Sequence, residues 1–178
     1  SNLIPGISRS VSSLPAEMTV NGGDSVQAQR TSFGRRDVRG ILYSEAGEIV
    51  AENDDMQGDW NFCIAAPLSP GAYTLRLEDS GVRASGNVQV VFESLRTMSF
   101  SRQRLPFSQT LTGYSAYEVP FSTGDSPEII QFSAENSVIS LFFEDRQIAE
   151  ERNSLIIPLS ENSEYLVTVS IPNGESGE

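Results

Sequence analysis

The sequence predicts an all-β chain made of two tandem antiparallel β-sandwich domains, of the jelly-roll or immunoglobulin-like kind. Three observations predict this class. Short segments rich in Val, Ile, Leu, Phe and Tyr alternate apolar with polar residues. Clusters of Gly, Pro, Asn and Asp, the residues typical of turns, separate these segments. Stretches of the first half also recur in the second, since Leu14-Pro15 and Leu105-Pro106 begin similar segments 91 residues apart.

The repeat is long enough for each copy to be a whole domain. Pro67-Leu68-Ser69 recurs as Pro158-Leu159-Ser160 at the same offset of 91 residues, and each is followed by a polar turn, a Tyr and an alternating segment. A period of this length exceeds that of solenoid repeats. The sequence therefore predicts one domain over residues 1–93 and a second, diverged copy over residues 94–178.

The strands follow from the alternation. In chain order the predicted strands are SVQAQRT, VRGILYS, YTLRLED, NVQVVFES, EIIQFS, VISLFFED and EYLVTVS. In YTLRLED, for example, Tyr73, Leu75 and Leu77 lie on one face of the strand. We assign NVQVVFES to the first copy. YSEAGEIVAEN and FEDRQIAEERNS lack a helical apolar stripe, so we expect both to be hairpins.

The offset of 91 residues also matches individual strand positions between the copies. It sets Val26 and Ala28 against Tyr117 and Val119. The sequence thus predicts that the strand containing Val26 and the strand containing Val119 occupy the same place in their domains.

The composition narrows the classes of function. The chain has a net charge of −12 and no histidine, and its 12 basic residues are all Arg. Such a charge disfavours nucleic acid and anionic membrane surfaces as partners. No segment approaches the roughly 20 apolar residues that would insert into a bilayer. Without histidine, Ser-His-Asp and Cys-His sites cannot form, and we expect the single cysteine, Cys63, to be a small buried apolar residue. The prediction is that the chain is not an enzyme.

One acidic turn is a candidate metal site. The segment AENDDMQGD offers Asn53, Asp54, Asp55 and Asp59 as oxygen ligands. Calcium binds several such hard oxygens, so calcium is the one cofactor that the sequence suggests. The alternative is a solvated turn, because Asp and Asn favour turns for backbone reasons alone.

Two aromatic residues are candidate ligand contacts. Trp60 and Tyr43 could offer a flat surface to a sugar or a peptide, although aromatic residues also fill sandwich cores. Tyr73 and Tyr165 recur after the repeated turn. We expect each of these two to bury its ring and to tie its hydroxyl to that corner.

The segment FGRRDVRG concentrates positive charge. Arg35, Arg36 and Arg39 lie close together beside Asp37. We interpret this segment as a solvated turn whose charges pair with each other. The alternative is a site for an anionic ligand.

The first copy also carries a family pattern. Apolar Ile41-Leu42-Tyr43 precede a turn at Gly47, an acidic pair follows at Asp54-Asp55, and Gly71-Ala72-Tyr73 opens an alternating strand. This pattern, from about Leu14 to Asp79, resembles the bacterial pre-peptidase C-terminal (PPC) domain. The resemblance implies a secreted or surface accessory module of the kind that flanks bacterial extracellular enzymes, and some relatives of this kind bind calcium or matrix proteins.

Taken together, the sequence suggests a non-catalytic accessory module for adhesion or substrate targeting, within a larger secreted or surface bacterial protein. We expect a secreted, periplasmic or cell-surface location, a protein or glycan partner, and a monomeric fragment. The alternative function is a carbohydrate-binding module that uses exposed aromatic residues.

Overall fold

The computed structural model describes residues 2–23, 25–30, 36–54, 62–81 and 86–171, with residues 25–30 as backbone only. Every regular element within these ranges is a β-strand. Nothing in this described part of the chain forms a helix with the length and apolar character needed to cross a membrane. The predicted all-β class is confirmed.

The strands are short in the first half of the chain and long near its end. The first eight are β1 (Arg9–Val11), β2 (Ala16–Gly22), β3 (Ser25–Arg30), β4 (Val38–Tyr43), β5 (Ile49–Asn53), β6 (Cys63–Pro67), β7 (Gly71–Asp79) and β8 (Val88–Ser94). The remaining six are β9 (Thr97–Ser99), β10 (Gln103–Arg104), β11 (Ala116–Ser122), β12 (Glu128–Phe143), β13 (Arg146–Leu159) and β14 (Glu164–Ser170).

The chain divides into two compact units, Ser1–Leu95 and Arg96–Glu178. The division lies two residues after the boundary predicted between residues 93 and 94. That each unit is an independent domain stays a prediction.

The first unit is a β-sandwich with nested strand pairing. One sheet has the order β1-β8-β3-β6 and the other the order β2-β7-β4-β5. Four antiparallel pairs join β1 to β8, β2 to β7, β3 to β6, and β4 to β5. This nesting of early strands against late ones is the order of a jelly roll. The segment NVQVVFES, as β8, belongs to this unit as predicted.

The core of the first unit draws on both sheets. Fully buried side chains come from β2 and β7 in one sheet and from β6 and β8 in the other, among them Val20, Leu75, Leu77, Ile64, Val88 and Val90. Gly40 in β4 leaves space for the buried ring of Phe62, because a Cβ at residue 40 would lie 2.6 Å from that ring. The layers are therefore tightly fitted at this point.

The second unit is built around one long bent hairpin. Its sheet has the order β10-β11-β14-β12-β13, with β9 also beside β11. β12 pairs with β13 along almost its whole length, but its register is irregular between Ser133 and Val138. It pairs with β14 only over Val138–Phe142. The segments EIIQFS and VISLFFED, predicted as separate strands, are thus two halves of the single strand β12.

The bend folds one half of this hairpin over the rest of the sheet. Phe132 in the first half of β12 and Phe121 in β11 have ring centroids 5.4 Å apart. One buried cluster contains residues of both layers, namely Val119, Phe121, Ile139, Leu141, Leu155, Leu159, Tyr165 and Val167. The second unit is therefore also two-layered.

Strand registers show which positions of the two units correspond. In the first unit one row across neighbouring strands contains Met18, Leu75, Leu42 and Ala51. In the second unit the same row contains Val119, Val167, Leu141 and Ala149. Accordingly β11 takes the place of β2, β14 that of β7, and the second half of β12 that of β4.

The offset of 91 residues is therefore wrong for the early strands. Leu42 corresponds to Leu141, 99 residues later, whereas Leu75 corresponds to Val167, 92 residues later. Consequently the predicted match of Val26 with Tyr117 fails, because β3 pairs with β6 and β11 pairs with β14. The offset between corresponding residues becomes smaller along the chain because the first unit has nine residues between β5 and β6. In the second unit β13 covers both of these strand positions without such an insertion.

Candidate functional site

Two of the predicted calcium ligands lie in the described part of the acidic turn. Asn53 ends β5, and its side-chain oxygen accepts a hydrogen bond of 2.9 Å from the backbone N–H of Cys63. This bond joins the end of β5 to the start of β6. Asn53 thus has a structural role that the sequence did not suggest. Asp55 and Asp59 lie outside the described residues.

Asp54 is placed differently from Asn53. Its Oδ2 accepts a hydrogen bond from the hydroxyl of Ser80, just after β7. Its Oδ1 is buried and has no hydrogen-bond partner among the described residues. A buried carboxylate oxygen without a partner is costly, and it is the kind of atom that a hard cation would satisfy.

The described residues alone do not complete a metal site. Within residues 36–54, 62–81 and the other described ranges, no group of three or more His, Cys, Asp or Glu side chains is close enough to hold a metal ion. Calcium binding at Asn53, Asp54, Asp55 and Asp59 therefore stays a prediction, and its structural support is the Oδ1 atom of Asp54.

The candidate aromatic surface is described in part. Tyr43 is half-buried at the end of β4, opposite Thr74 of β7 and Ile49 of β5. Trp60 lies outside the described residues. Ligand binding by Tyr43 and Trp60 stays a prediction.

Cys63 and Tyr165 behave as predicted, and Tyr73 does so only in the contact of its hydroxyl. Cys63 is buried and, as the single cysteine of the sequence, forms no disulfide within it. The Tyr73 hydroxyl donates a hydrogen bond of 3.0 Å to the carbonyl of Ser69, and the Tyr165 hydroxyl accepts one of 3.1 Å from the N–H of Ser160. Each hydroxyl therefore fixes the turn before its own strand. The ring of Tyr165 is buried, whereas that of Tyr73 is half-buried.

The interpretation of FGRRDVRG as a solvated turn is wrong for Arg36. The Arg36 side chain is buried, and its guanidinium makes two hydrogen bonds, of 2.7 and 2.8 Å, to the carboxylate of Asp79. Its remaining terminal nitrogen donates to the carbonyls of Ser12 and Gly86. Arg39 forms a separate, more exposed ion pair with Glu52. Because protein groups occupy the Arg36 donors, this residue is unsuited to an anionic ligand.

The Arg36–Asp79 pair changes the acidity of both groups. The hydrogen bonds from Arg36 hold the pKa of the Asp79 carboxyl below its ordinary value, against the opposing effect of burial. The same hydrogen bonds raise the pKa of Arg36. Both groups are therefore charged around neutral pH, and the pair is a structural clamp of the first unit.

An outward-facing apolar patch lies on the second unit. In the first half of β12 and the second half of β13, alternate residues point away from the core. Among them Ile129 is 75% exposed and Ile156 is 65% exposed. Ile129 lies opposite Pro158, and Gln131 lies opposite Ile156, so the two isoleucines are diagonal neighbours. We call Ile129, Ile156 and Pro158 the isoleucine face.

Pairs of adjacent isoleucines in the sequence indicate this face, although the sequence prediction above did not include it. EIIQFS and SLIIP each contain adjacent isoleucines. In a strand, successive side chains point to opposite faces, so one residue of each adjacent pair must lie outside the core. Which one lies outside depends on the fold.

Comparisons with known proteins do not identify a family. No protein-family model matches the chain, and no curated protein matches it. Among solved structures, the CUB1-EGF-CUB2 domains of rat MASP-1 show 9% identity over 97% of this chain and 95% of that chain, with a TM-score of 0.28. The CUB1-EGF-CUB2 domain of human MASP-1/3 shows 10% identity over 94% of this chain and 95% of that chain, with a TM-score of 0.27. Likenesses at this level carry no argument, so the fold and sites described here stand on the strand pairing and side-chain contacts alone.

Proposed function

We propose that the chain is a non-catalytic accessory module that attaches a larger secreted or surface bacterial protein to a protein partner. The observation that carries this proposal is the isoleucine face of the second unit. Two large apolar side chains stand mostly in solvent there, on a chain whose net charge is −12.

The cost of exposing this face supports a binding role. Two neighbouring isoleucines in water lose the stabilisation that burial of each side chain gives, about 1.5–3 kcal/mol. Single exposed apolar residues are ordinary, but neighbouring ones on a regular sheet form a patch of the kind that contacts other proteins. The face lies on two paired strands, so it is held rigidly enough to serve as a contact surface.

The wider context of the proposal comes from the sequence. The PPC-like pattern of the first copy supports a secreted, periplasmic or cell-surface location, and the repeat supports two tandem sandwich domains. The absence of histidine supports a non-catalytic role, because it removes the histidine-dependent hydrolytic sites. A monomeric fragment of a larger chain is part of the same proposal.

Binding measurements on the isoleucine face test the proposal. The chain, fused to a fluorescent protein, is applied to immobilised extracellular-matrix and cell-surface proteins and to insoluble polysaccharides. We expect retention on at least one protein surface, and a loss of at least tenfold in affinity for the double variant Ile129→Ser/Ile156→Ser. Ile49→Ser, which changes an isoleucine of the first unit with 38% exposure, is the matched control and should bind like the wild type.

The carbohydrate-binding alternative gives a different result in the same assay. Retention on polysaccharide that survives the double isoleucine change but is lost with Trp60→Ala would replace the attachment proposal with that alternative. If the chain is retained on none of these surfaces, both the attachment proposal and the carbohydrate-binding alternative are wrong.

A further inference from the structure

The first half of β12 lacks a neighbour that its counterpart in the first unit has. In the first unit β3 lies between β6 and β8. In the second unit Glu128–Ser133 pairs with β13 as β3 pairs with β6, and Pro158 lies opposite Ile129 as Pro67 lies opposite Ser25. On the other side of Glu128–Ser133, no strand pairs with it among the described residues. The place that β8 holds in the first unit is therefore open in the second.

A second segment shows the same missing neighbour. β1 precedes β2 in the first unit and is a strand because β8 pairs with it. Since β11 takes the place of β2, the counterpart of β1 is the segment 109–111, about 100 residues later. This segment has no strand pairing. In the first unit β8 lies between β3 and β1. The counterparts of β3 and β1 are both present in the second unit, but no described strand lies between them.

A groove with an apolar floor and walls of mixed polarity lies between these two segments. It has a volume of about 440 Å³, with segment 105–111 on one wall and segment 128–134 on the other. Its floor is formed by Val119, Ile139, Val167 and Val169. Phe107, Ile130 and Phe132 are only half-buried and line its walls. The groove is bounded on both long sides, so one extended strand fits it better than the edge of a second folded unit.

The open edge of β12 offers backbone groups to such a strand. Pro158 has no N–H, so its pair with Ile129 belongs to the non-hydrogen-bonded set of the β12–β13 ladder. Because this set recurs at every second residue, Ile129, Gln131 and Ser133 direct their N–H and C=O groups towards the open edge. An edge of this kind is a template for strand addition.

β8 shows which side chains the groove would take. Val88, Val90 and Phe92 are at most 2% exposed, and they alternate with Gln89 and other residues that are not buried. β8 runs antiparallel to β3 and places Phe92 opposite Ala28, the counterpart of Phe132. In this sequence residues 172–178, which follow β14, read PNGESGE and contain no large apolar residue. They do not have the pattern that the groove requires.

We propose that the second unit accepts an extended strand from outside residues 1–178, which pairs antiparallel with Glu128–Ser133 and inserts apolar side chains at alternate positions into the groove. This strand site shares Ile129 with the isoleucine face, whereas Ile156 and Pro158 of that face do not line the groove. The single variant Ile156→Ser changes the isoleucine face without changing the groove, so with this variant either proposal can fail without the other.

A peptide with the sequence of β8 tests the strand site. The probe is fluorescently labelled NVQVVFES, the sequence of residues 87–94, titrated with the full 178-residue chain and followed by fluorescence anisotropy. We expect saturable binding, and at least tenfold weaker binding of a peptide in which the residues equivalent to Val90 and Phe92 are Asp. A peptide changed to Ser at the positions of Gln89 and Glu93, which do not point into the core, is the matched control and should bind like the parent.

A substitution at the open edge of Glu128–Ser133 tests which backbone groups pair with the added strand. Gln131→Pro removes an N–H that faces the open edge and leaves the hydrogen bonds to β13 in place. We expect at least a tenfold loss of peptide affinity, with a circular dichroism spectrum like that of the wild type. Gln131→Ala keeps the N–H and should bind normally. If Gln131→Pro does not fold, amide hydrogen exchange of the wild-type chain tests the register instead. Bound peptide should slow the exchange of the backbone N–H groups of Ile129, Gln131 and Ser133.

Three results would overturn the proposal. The first is an absence of saturable binding, or equal binding of the Asp-substituted peptide. The second is peptide-induced change in exchange confined to the first unit, which would mean that the peptide replaces β8 there. The third is a concentration-dependent dimer that excludes the peptide, which would assign the groove to a second copy of the chain.

Discussion

The Arg36 guanidinium links three stretches of the first unit that are far apart in sequence. It contacts the Ser12 carbonyl before β2, the Asp79 carboxylate at the end of β7, and the Gly86 carbonyl before β8. Arg36 is 6% exposed and the Asp79 side chain 31%, so the loss of Arg36 leaves partly buried acceptors without their donor.

Replacement of Arg36 should therefore destabilise the first unit strongly. We expect Arg36→Met to lower the free energy of unfolding by about 2 kcal/mol, the usual cost of leaving polar acceptors in a poorly solvated place without their donor. Arg39→Met, which breaks a more exposed pair with Glu52, is the control and should cost less than about 1 kcal/mol. Urea denaturation measures both. Equal losses would show that Arg36 is not the clamp described here.

The same pair predicts a pH dependence with a definite sign. The folded-state pKa of Asp79 lies below its ordinary value of 3.8, so the folded state holds this proton less tightly than the unfolded chain does. The stabilisation is fully present above that ordinary value and is lost as the pH falls through the folded-state pKa. We expect the difference in urea midpoint between wild type and Asp79→Asn to be constant above about pH 5 and to shrink below about pH 4. A difference that grows as the pH falls would contradict this assignment.

The calcium prediction at the acidic turn depends on Asp54. If its buried Oδ1 helps to hold a cation, about 1 mM calcium should raise the melting temperature, because a ligand that binds only the folded state stabilises it. Asp54→Asn should abolish the rise and EDTA should reverse it. Asp125→Asn, in an exposed turn of the second unit, is the control. An unchanged wild-type melting temperature with and without calcium would remove the predicted site.

At the scale of the strand, β4 shows how one position can decide the fit between two layers. Gly40 lies opposite Leu77 of β7 and Asn53 of β5, and a Cβ at this position would lie 2.6 Å from the ring of Phe62. Phe62 is fully buried, so its ring has little room to move.

Gly40→Ala should thus overpack the first unit. We expect a loss of about 1–3 kcal/mol in the free energy of unfolding, the usual cost of an extra methyl group in a filled core. Gly23→Ala is the control, since nothing lies within 4 Å of its added Cβ, and it should change stability by less than about 0.5 kcal/mol. If the two variants are equally stable, Gly40 and Phe62 are not as closely packed as described.

At the scale of the whole molecule, corresponding core positions allow the two units to be tested separately. Leu42 and Leu141 hold the same place in their sheets, and each is buried. Residues 1–95 and 96–178 form separate compact units, so a cavity in one should weaken that unit first.

We expect Leu42→Ala and Leu141→Ala each to cost about 2–5 kcal/mol, and each to speed hydrogen exchange only in its own unit. Leu42→Ala should act on β2 to β8, and Leu141→Ala on β11 to β14. Each variant serves as the control for the other. If either variant speeds exchange throughout the chain, residues 1–178 unfold as one cooperative unit and the two-domain prediction is wrong.

Local features of the sequence sufficed for the all-β class, for the segments later found in β4, β7, β8 and β14, and for the hydroxyl contacts of Tyr73 and Tyr165. Alternation of apolar and polar residues, and the residues that turns prefer, act within a few positions along the chain. The physical determinants of a strand and of its turn are therefore readable where they occur.

Only the tertiary structure decided which strands are neighbours. The pairing of Arg36 with Asp79, the bend that makes β12 one strand, and the open edge at Glu128–Ser133 all depend on contacts between distant residues. A side chain carries no local mark of the strand that will lie beside it, because register and pairing are set by how whole layers bury their apolar faces.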